Sequence, residues 1–141
     1  MPARVKVRAV IWVGDHIAVH RTERHGRAHV TLPGGRVGER ESVTEALRRE
    51  LREELGVEIS IGDLLFAAEV HSGARRQDVE LIFDAELENP DDRSKLILVD
   101  PTDLDLDVMP PIMGYLPDPE VHHHRRWLGN LYQAGSRGAS S

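Results

Sequence analysis

The chain has 141 residues, of which 40% are hydrophobic and 30% charged, as in a single globular domain and unlike a disordered chain. The formal net charge of −6 argues against nonspecific attraction to nucleic acid or to anionic lipid. Cysteine is missing from the sequence, which excludes disulfides, thiolate metal sites and a cysteine nucleophile.

The N-terminal segment predicts a β-hairpin. β-Branched residues are frequent from Val5 to Val13, Gly14-Asp15 is typical of a hairpin turn, and Ile17 to Val19 resumes as the partner strand. The apolar run from Ala9 to Val13 is too short for a signal-peptide core or a membrane span, and we therefore expect a cytoplasmic protein. Residues 21–29 are polar and predict a loop.

The central segment predicts one helix with defined ends. A short strand from His29 to Leu32 is expected to stop at the Pro-Gly-Gly that follows it. Ser42 and Glu45 have the spacing of a capping box, in which each side chain bonds the backbone of the other. Gly56 stands where helices commonly end, so a helix from Ser42 to Leu55 is predicted.

The remainder of the chain predicts further strands and a last helix. The expected elements are one or two strands over Val57–Val70 broken near Gly62-Asp63, a turn over His71–Gln77, a half-buried strand over Val79–Leu87, a turn over Asn89–Asp92 and a strand over Leu96–Val99. Residues 101–119 contain five prolines and predict an irregular connection. A final helix is expected over Glu120–Tyr132, with Trp127 and Leu128 packed on the sheet, or with Trp127 lining a pocket.

This order of elements indicates an α+β or mixed α/β fold. We expect one domain over residues 1–133 and a flexible tail over residues 134–141. The run His122-His123-His124 is interpreted as part of a helix surface, because three consecutive helical residues point in different directions and cannot share one metal ion.

The predicted central helix places acids among its apolar residues. At about 100° per residue, Glu50 and Glu54 fall within the arc of the leucines, and Glu53 lies at its edge. Carboxylates on a buried arc are costly unless compensated, and a hard cation such as Mg²⁺ binds oxygen ligands of this kind. Arg49 is spaced to pair with Glu53 or Glu45. A solvated face with salt bridges inside the helix is the alternative interpretation.

The segment around this helix resembles a family motif. Gly35, five residues, Glu41, seven residues and then RELREELGV from Arg49 to Val57 is similar to the Nudix box, and every fixed position of its 23-residue pattern is filled. With the LPGG stretch just before it, the likeness extends more loosely over residues 3–108. The resemblance implies an α/β/α sandwich with a mixed sheet between helices. It also implies a hydrolase that cleaves a diphosphate linkage in a nucleoside triphosphate, nucleotide sugar or dinucleotide.

Carried over by position, the resemblance implies roles for residues of the box. Glu50 and Glu54 would bind the metal, Mg²⁺ or alternatively Mn²⁺, with Glu53 as a further ligand or as the holder of a metal-bound water. The Gly35 carbonyl is a candidate backbone ligand, Glu41 would support the site, and Arg49 would orient a glutamate. The general base is left open among three sets of acids, which are Glu53 or Glu54, then Glu80 and Asp84, and then Glu88, Asp91 and Asp92.

Substrate contacts are predicted less sharply. The arginines near the box are candidates to hold phosphates, with ordinary surface positions as the alternative, and they are Arg21, Arg24, Arg27 and Arg36. The stretch His29-Val30-Thr31 has no aromatic ring where many relatives carry one, so no nucleobase platform is predicted.

Two alternative functions remain, a nucleotide sensor of the same fold and an RNA-end-processing hydrolase. The complete acidic set argues against the sensor, and the acidic balance of the chain argues against RNA. The expected partner is a small nucleoside diphosphate derivative, with no membrane partner, nucleic acid disfavoured and a homodimer left open.

Overall fold

The computed structural model describes residues 3–72, 76–103, 107–110 and 127–132. Within these ranges the chain forms nine strands, one α-helix and one 3₁₀ helix. The elements are β1 (Arg4–Val13), β2 (His16–Arg24), β3 (Arg27–Thr31), β4 (Gly34–Arg36), α1 (Val43–Leu55), β5 (Ile59–Ser72), β6 (Arg76–Leu87), the 3₁₀ helix (Pro90–Lys95), β7 (Ile97–Val99), β8 (Val108–Met109) and β9 (Trp127–Tyr132).

The strands form one mixed sheet in the order β8-β3-β2-β1-β6-β5-β9, with β4 paired to β1 and β7 paired to β2. At its centre β1 runs parallel to β6 and antiparallel to β2 and β4. Residues 7–11 of β1 are all buried, as expected for a strand covered on both faces. The predicted mixed sheet of an α+β fold is therefore confirmed.

The two faces of the sheet carry separate hydrophobic clusters. On one face, Leu47 and Leu51 of α1 pack against Val7 and its neighbours in β1. The cluster on the other face includes Val10 of β1 together with residues of β2, β5 and β6. Because alternate strand residues point to opposite faces, the even-numbered side chains of β1 from Arg4 to Val10 lie on the face away from α1.

The predicted ends of α1 are confirmed. Ser42 Oγ accepts a hydrogen bond from the Glu45 amide at 3.1 Å, and the Glu45 carboxylate accepts one from the Ser42 amide at 3.5 Å. Gly56 adopts the left-handed conformation at φ 68°, and its amide donates to the Arg52 carbonyl at 3.0 Å. These caps satisfy backbone groups that the helix itself leaves unpaired, and they fix where the helix begins and ends.

Several predicted connections are strands instead. Segment 21–29 is not a loop, because β2 and β3 pair along it from His20↔Thr31 to Arg24↔Arg27. The polar side chains of this segment suggested a loop, but its backbone forms a hairpin within the sheet. The segment from Val57 is one long strand from residue 59, with pairing irregularities on either side of Leu64 where a break was expected. The turn after β6 is the 3₁₀ helix.

The predicted C-terminal helix is wrong over Trp127–Tyr132, which form β9 and pair with β5 in parallel. Side-chain burial here follows the strand period, since Leu128 is 4% exposed and its neighbour Trp127 is 52% exposed. Leu128 is a core residue as predicted, whereas Trp127 is not. The triple histidine and residues 134–141 lie outside the described residues. No helix in the described ranges is long and apolar enough to cross a membrane.

Candidate active site

Two glutamates of α1 converge on the backbone of β4. The amide of Gly34 donates to Glu54 Oε1 at 2.7 Å. A Cβ placed on Gly35 would lie only 2.6 Å from the Glu50 carboxyl carbon. Glu50 and Glu54 stand one helical turn apart on the same face, so each carboxylate reaches one of two adjacent glycines. Gly34 is itself required, because its φ is 143° and a Cβ there would lie 2.0 Å from the Val7 carbonyl oxygen.

Arg49 connects the acids of the site. Its guanidinium donates to both carboxylate oxygens of Glu41, at 2.7 and 3.0 Å. It also donates to Glu50 at 3.0 Å, to Glu53 at 3.2 Å and to the Arg36 carbonyl at 3.1 Å. The planar, forked arginine side chain is suited to holding several oxygen acceptors at once.

The pairing predicted for Arg49 is confirmed for Glu53 but not for Glu45, which bonds Ser42 in the capping box. Glu41 is the partner that the helical wheel did not show, because it precedes the first turn of α1. Its hydrogen bond from Arg49, with a second from the Gly38 amide, lowers the pKa of Glu41 to about 2. The hydrogen bonds of Arg49 to Glu41 and to Glu50 raise the pKa of Arg49. Glu41 and Arg49 are therefore an ion pair throughout the neutral range.

Glu54 is a carboxylate of the site whose pKa is strongly raised. Burial, together with the charges of Glu50 and Glu53, raises its pKa to about 7, although the bond from Gly34 and the charge of Arg8 oppose the change. His20 Nε2 lies 3.6 Å from Glu54 Oε2. Burial and the neighbouring Arg8 lower the pKa of His20, which favours its neutral form. Around Glu54 the site therefore holds negative charge where little water is present to stabilise it.

The donor set suits a hard divalent cation. Glu50, Glu54 and the backbone of Gly35 supply oxygen atoms, the ligands that Mg²⁺ and Mn²⁺ favour. The glycines leave the space that a Cβ would otherwise fill. In the described part of the chain no three carboxylate or imidazole side chains stand close enough to form a ready-made metal cluster. Glu53 is held by Arg49 at the more exposed side of the helix.

A cleft of about 270 Å³ opens beside these carboxylates. Its described lining consists of Arg4, Lys6, Arg8, His20, Thr22, Thr31, Gly34, Gly35, Arg36, Glu54 and Arg76. Of the predicted phosphate contacts, only Arg36 belongs to this lining. Arg21 does not, because His20 and Thr22 on either side of it face the cleft and alternate residues of a strand point to opposite faces. The side chain of Arg24 lies outside the described residues.

Sequence reasoning missed the β1 cations of this cleft. The signal was available, because Arg4, Lys6 and Arg8 alternate with apolar residues along a predicted strand. What the sequence does not show is their partners. Asp78 and Glu80 enter β6 more than seventy residues later and lie beside β1 through parallel pairing.

The downstream acids have different surroundings from those expected of a general base. Glu80 is not solvated at the surface, as it is 1% exposed and accepts a hydrogen bond from Arg8 at 2.8 Å. Asp84 lies beside the irregular segment of β5 near Gly62. Ile82 of β6 pairs with Arg8 of β1. Glu88 follows the end of β6, about 20 Å from Ile82 along the strand direction.

Comparison with protein families matches the NUDIX domain over residues 2–128. This chain belongs to the Nudix family. Its fold is similar to that of the E. coli ORF135 protein, with 21% identity, a TM-score of 0.68, and coverage of 89% of this chain and 94% of that one. It is also similar to a NUDIX hydrolase from Nitrosomonas europaea, with 19% identity, a TM-score of 0.67, and coverage of 94% and 81%.

A MutT NUDIX hydrolase from Burkholderia pseudomallei shares 24% identity with this chain at a TM-score of 0.63, covering 77% of this chain and 91% of that one. None of the curated proteins matches the chain significantly. This Nudix protein is therefore a hydrolase acting on phosphoric anhydrides, the general activity of a pyrophosphohydrolase. Nudix hydrolases generally use divalent metal ions.

Proposed function

We propose that this Nudix hydrolase is a metal-dependent enzyme that cleaves the diphosphate linkage of a nucleoside diphosphate joined to another group. The substrate class comprises nucleoside triphosphates, nucleotide sugars and dinucleotides. The observation that carries the proposal is the convergence of Glu50 and Glu54 on Gly34 and Gly35, with Arg49 holding Glu50 from the other side. If these glutamates served only in structural salt bridges, two carboxylates would have no reason to lie together where little water reaches them, because burying uncompensated charge is costly.

The carboxylates of α1 would hold the cation. Glu50, Glu54 and the Gly35 carbonyl are its proposed ligands, with Glu53 as a further ligand or as the holder of a water molecule. A divalent cation bound there would lower the pKa of a water and offset the charge that develops at phosphorus. Mg²⁺ is the proposed ion, with Mn²⁺ as a substitute.

The neighbouring side chains would keep these carboxylates in place. Arg49 bonds both Glu50 and Glu53, which limits the rotamers available to either acid. Glu41 in turn holds the guanidinium through two hydrogen bonds. Arg49 and Glu41 are therefore positioning residues, and removing either one should lower turnover more than substrate affinity.

We assign the general base to the box, at Glu53 or Glu54. Glu54 lies on the face of α1 that carries the proposed metal ligands, and Glu53 lies at its more exposed side, joined to Glu50 through Arg49. Glu80 is a poorer candidate, because it is buried and its carboxylate is engaged with Arg8. Glu88 and the acids that follow it are poorer candidates because of their distance along β6 from the level of Arg8.

The test is a phosphate-release screen over nucleoside triphosphates, nucleotide sugars, dinucleotides and nucleoside diphosphates, with Mg²⁺ and with Mn²⁺. Glu54→Gln should reduce kcat by at least about 10²-fold, because it removes a main electrostatic contributor to the site. Glu39→Gln is the matched control, since Glu39 is an exposed glutamate of the same box and should leave kcat unchanged. Full activity after exhaustive chelation, or full activity of Glu54→Gln, would refute the proposal.

A further inference from the structure

The cleft beside the carboxylates is lined by cations along one strand. Arg4, Lys6 and Arg8 alternate along β1, so their side chains project from the same face of the sheet. Arg36 at the end of β4 and Arg76 at the start of β6 are exposed residues of the same lining. The row from Arg8 to Arg4 is about 13 Å long, at roughly 3.3 Å per residue.

Two buried acids hold this row in position. Arg4 donates to both carboxylate oxygens of Asp78, at 2.9 and 3.3 Å, and Lys6 Nζ lies 3.4 Å from the same carboxylate. Arg8 bonds Glu80 at 2.8 Å. Asp78 and Glu80 are 0% and 1% exposed, so the carboxylates lie beneath the cations and do not form part of the described lining. Such anchoring keeps long side chains ordered before any ligand arrives.

The positive charge of the cleft is not fully balanced. The lining contains five lysine and arginine side chains, whereas the acids in or beneath it are Glu54, Asp78 and Glu80. Burial, followed by the charge of Arg8, lowers the pKa of Lys6, and the neighbouring acids offset this only in part. Arg8 uses its Nε and Nη1 atoms in its hydrogen bonds to Glu80, Leu32 and Gly34, and Nη2 takes part in none of these three.

The described part of the lining offers no aromatic surface to an uncharged nucleobase. No phenylalanine, tyrosine or tryptophan is among the described residues of the cleft. Nucleobases are held chiefly by stacking on aromatic side chains, and apolar groups are held by apolar walls. Phosphate groups, in contrast, are matched by arginine and lysine donors.

We propose that this cleft binds a phosphate group on the moiety attached to the scissile diphosphate, with Lys6 as a specificity-determining residue. The preferred substrate therefore carries a phosphate remote from the bond that is cleaved. This inference rests on the proposed function, because Glu54 and the two glycines belong to both the cleft and the catalytic site. The length of the cation row favours a remote phosphate over one adjacent to the scissile pair.

The first experiment compares substrates that differ by a single phosphate monoester. NADP⁺ is paired with NAD⁺, and coenzyme A with dephospho-coenzyme A, at fixed free Mg²⁺. We expect at least about a tenfold higher kcat/KM for the phosphorylated member of one or both pairs, from charge-assisted hydrogen bonds made only by that member. The preference should decline as ionic strength rises, because salt screens the contact.

The variant for this comparison is Lys6→Met. It keeps most of the length of the side chain, and Arg4 still neutralises Asp78, so the fold should persist. Lys95→Met is the matched control, because Lys95 also pairs with an aspartate, Asp92 at 3.2 Å, but does not line the cleft. Lys6→Met should bring the ratio of kcat/KM between the phosphorylated and the unphosphorylated member of each pair close to one. Lys95→Met should retain the preference.

A binding measurement separates this inference from the proposed function. Inorganic triphosphate in the presence of chelator should raise the melting temperature of the wild type and of Lys95→Met, and affect Lys6→Met much less. Hydrolysis of both members of each pair with equal kcat/KM would overturn the inference and leave the proposed function standing. Equal stabilisation of Lys6→Met and wild type would also overturn it. No hydrolysis of any substrate in these pairs or in the phosphate-release screen, with Lys6-dependent stabilisation by triphosphate, would refute the proposed function and support the anion site.

Discussion

Gly35→Ala tests the geometry of the proposed metal site with a single methyl group. The added Cβ would lie 2.6 Å from the Glu50 carboxyl carbon and 2.7 and 2.8 Å from its two oxygens. Moving that carbon to an ordinary contact near 3.4 Å requires a displacement of about 0.8 Å, the difference between the two distances. Gly35 does not have a positive φ, so alanine introduces no backbone strain there.

The expected cost falls on activity and not on stability. A misplacement of about 1 Å in a catalytic group can reduce the rate by about 10²-fold, so we expect kcat to fall by roughly that factor. The group that must move is the end of a flexible side chain, so the free energy of unfolding should change by no more than about 1 kcal/mol, the usual value of a partly exposed ion pair. Steady-state kinetics with Mg²⁺ and urea unfolding of the same preparation measure both quantities.

Gly62→Ala provides the control for a methyl group added to a glycine of the sheet. A Cβ at Gly62 would meet its nearest neighbour, the Asp84 carbonyl oxygen, at 3.4 Å, which is an ordinary contact. This variant should keep its kcat within about twofold, as expected when no catalytic group is displaced. A Gly35→Ala enzyme that is folded and fully active would show that the position of Glu50 is irrelevant, and the assignment of Glu50 as a ligand would fail.

Arg49→Ala should lower kcat by at least about tenfold with little effect on KM, because it releases the acids that Arg49 holds. Arg48→Ala and Arg52→Ala should change kcat little, and equal losses at all three positions would indicate a general charge effect. With chelator at mildly alkaline pH, Glu54→Gln should melt at the same temperature as the wild type or higher, because a neutral amide is easier to bury than a carboxylate. A lower melting temperature would favour a structural salt bridge at Glu54. Mg²⁺ should raise the melting temperature of the wild type, and an unchanged value across a titration would count against a metal site in the folded state. The Glu41 carboxyl should titrate near pH 2 by NMR, and in Arg49→Ala its pKa should return toward 4.5. Because the pKa is lowered in the folded state, the ion pair should stabilise the fold fully above the ordinary pKa of 4.5, and this stabilisation should be lost as the pH falls through about 2.

Patterns that act over a few residues were predictable. Ser42, Glu45 and Gly56 set the ends of α1 through contacts within one helical turn, and Gly14-Asp15 set the first hairpin. The helical period then placed Glu50 and Glu54 on the inner face before any fold was known. The prediction of a C-terminal helix was wrong, because apolar spacing over a short stretch is compatible with a helix or a strand. Its pairing with β5 decided between them.

The amino-acid sequence by itself determined the helix, its caps, the carboxylates on its inner face and the glycines beside them. All of these depend on interactions between residues close in the chain. Only the tertiary structure decided what surrounds them. The parallel pairing of β1 with β6 brings Arg8 to Glu80 across 72 residues, and it places Asp78 and Glu80 beneath the cations that the strand period puts in one row. No local pattern encodes that contact, because the energy of a buried ion pair depends on partners that folding alone brings together.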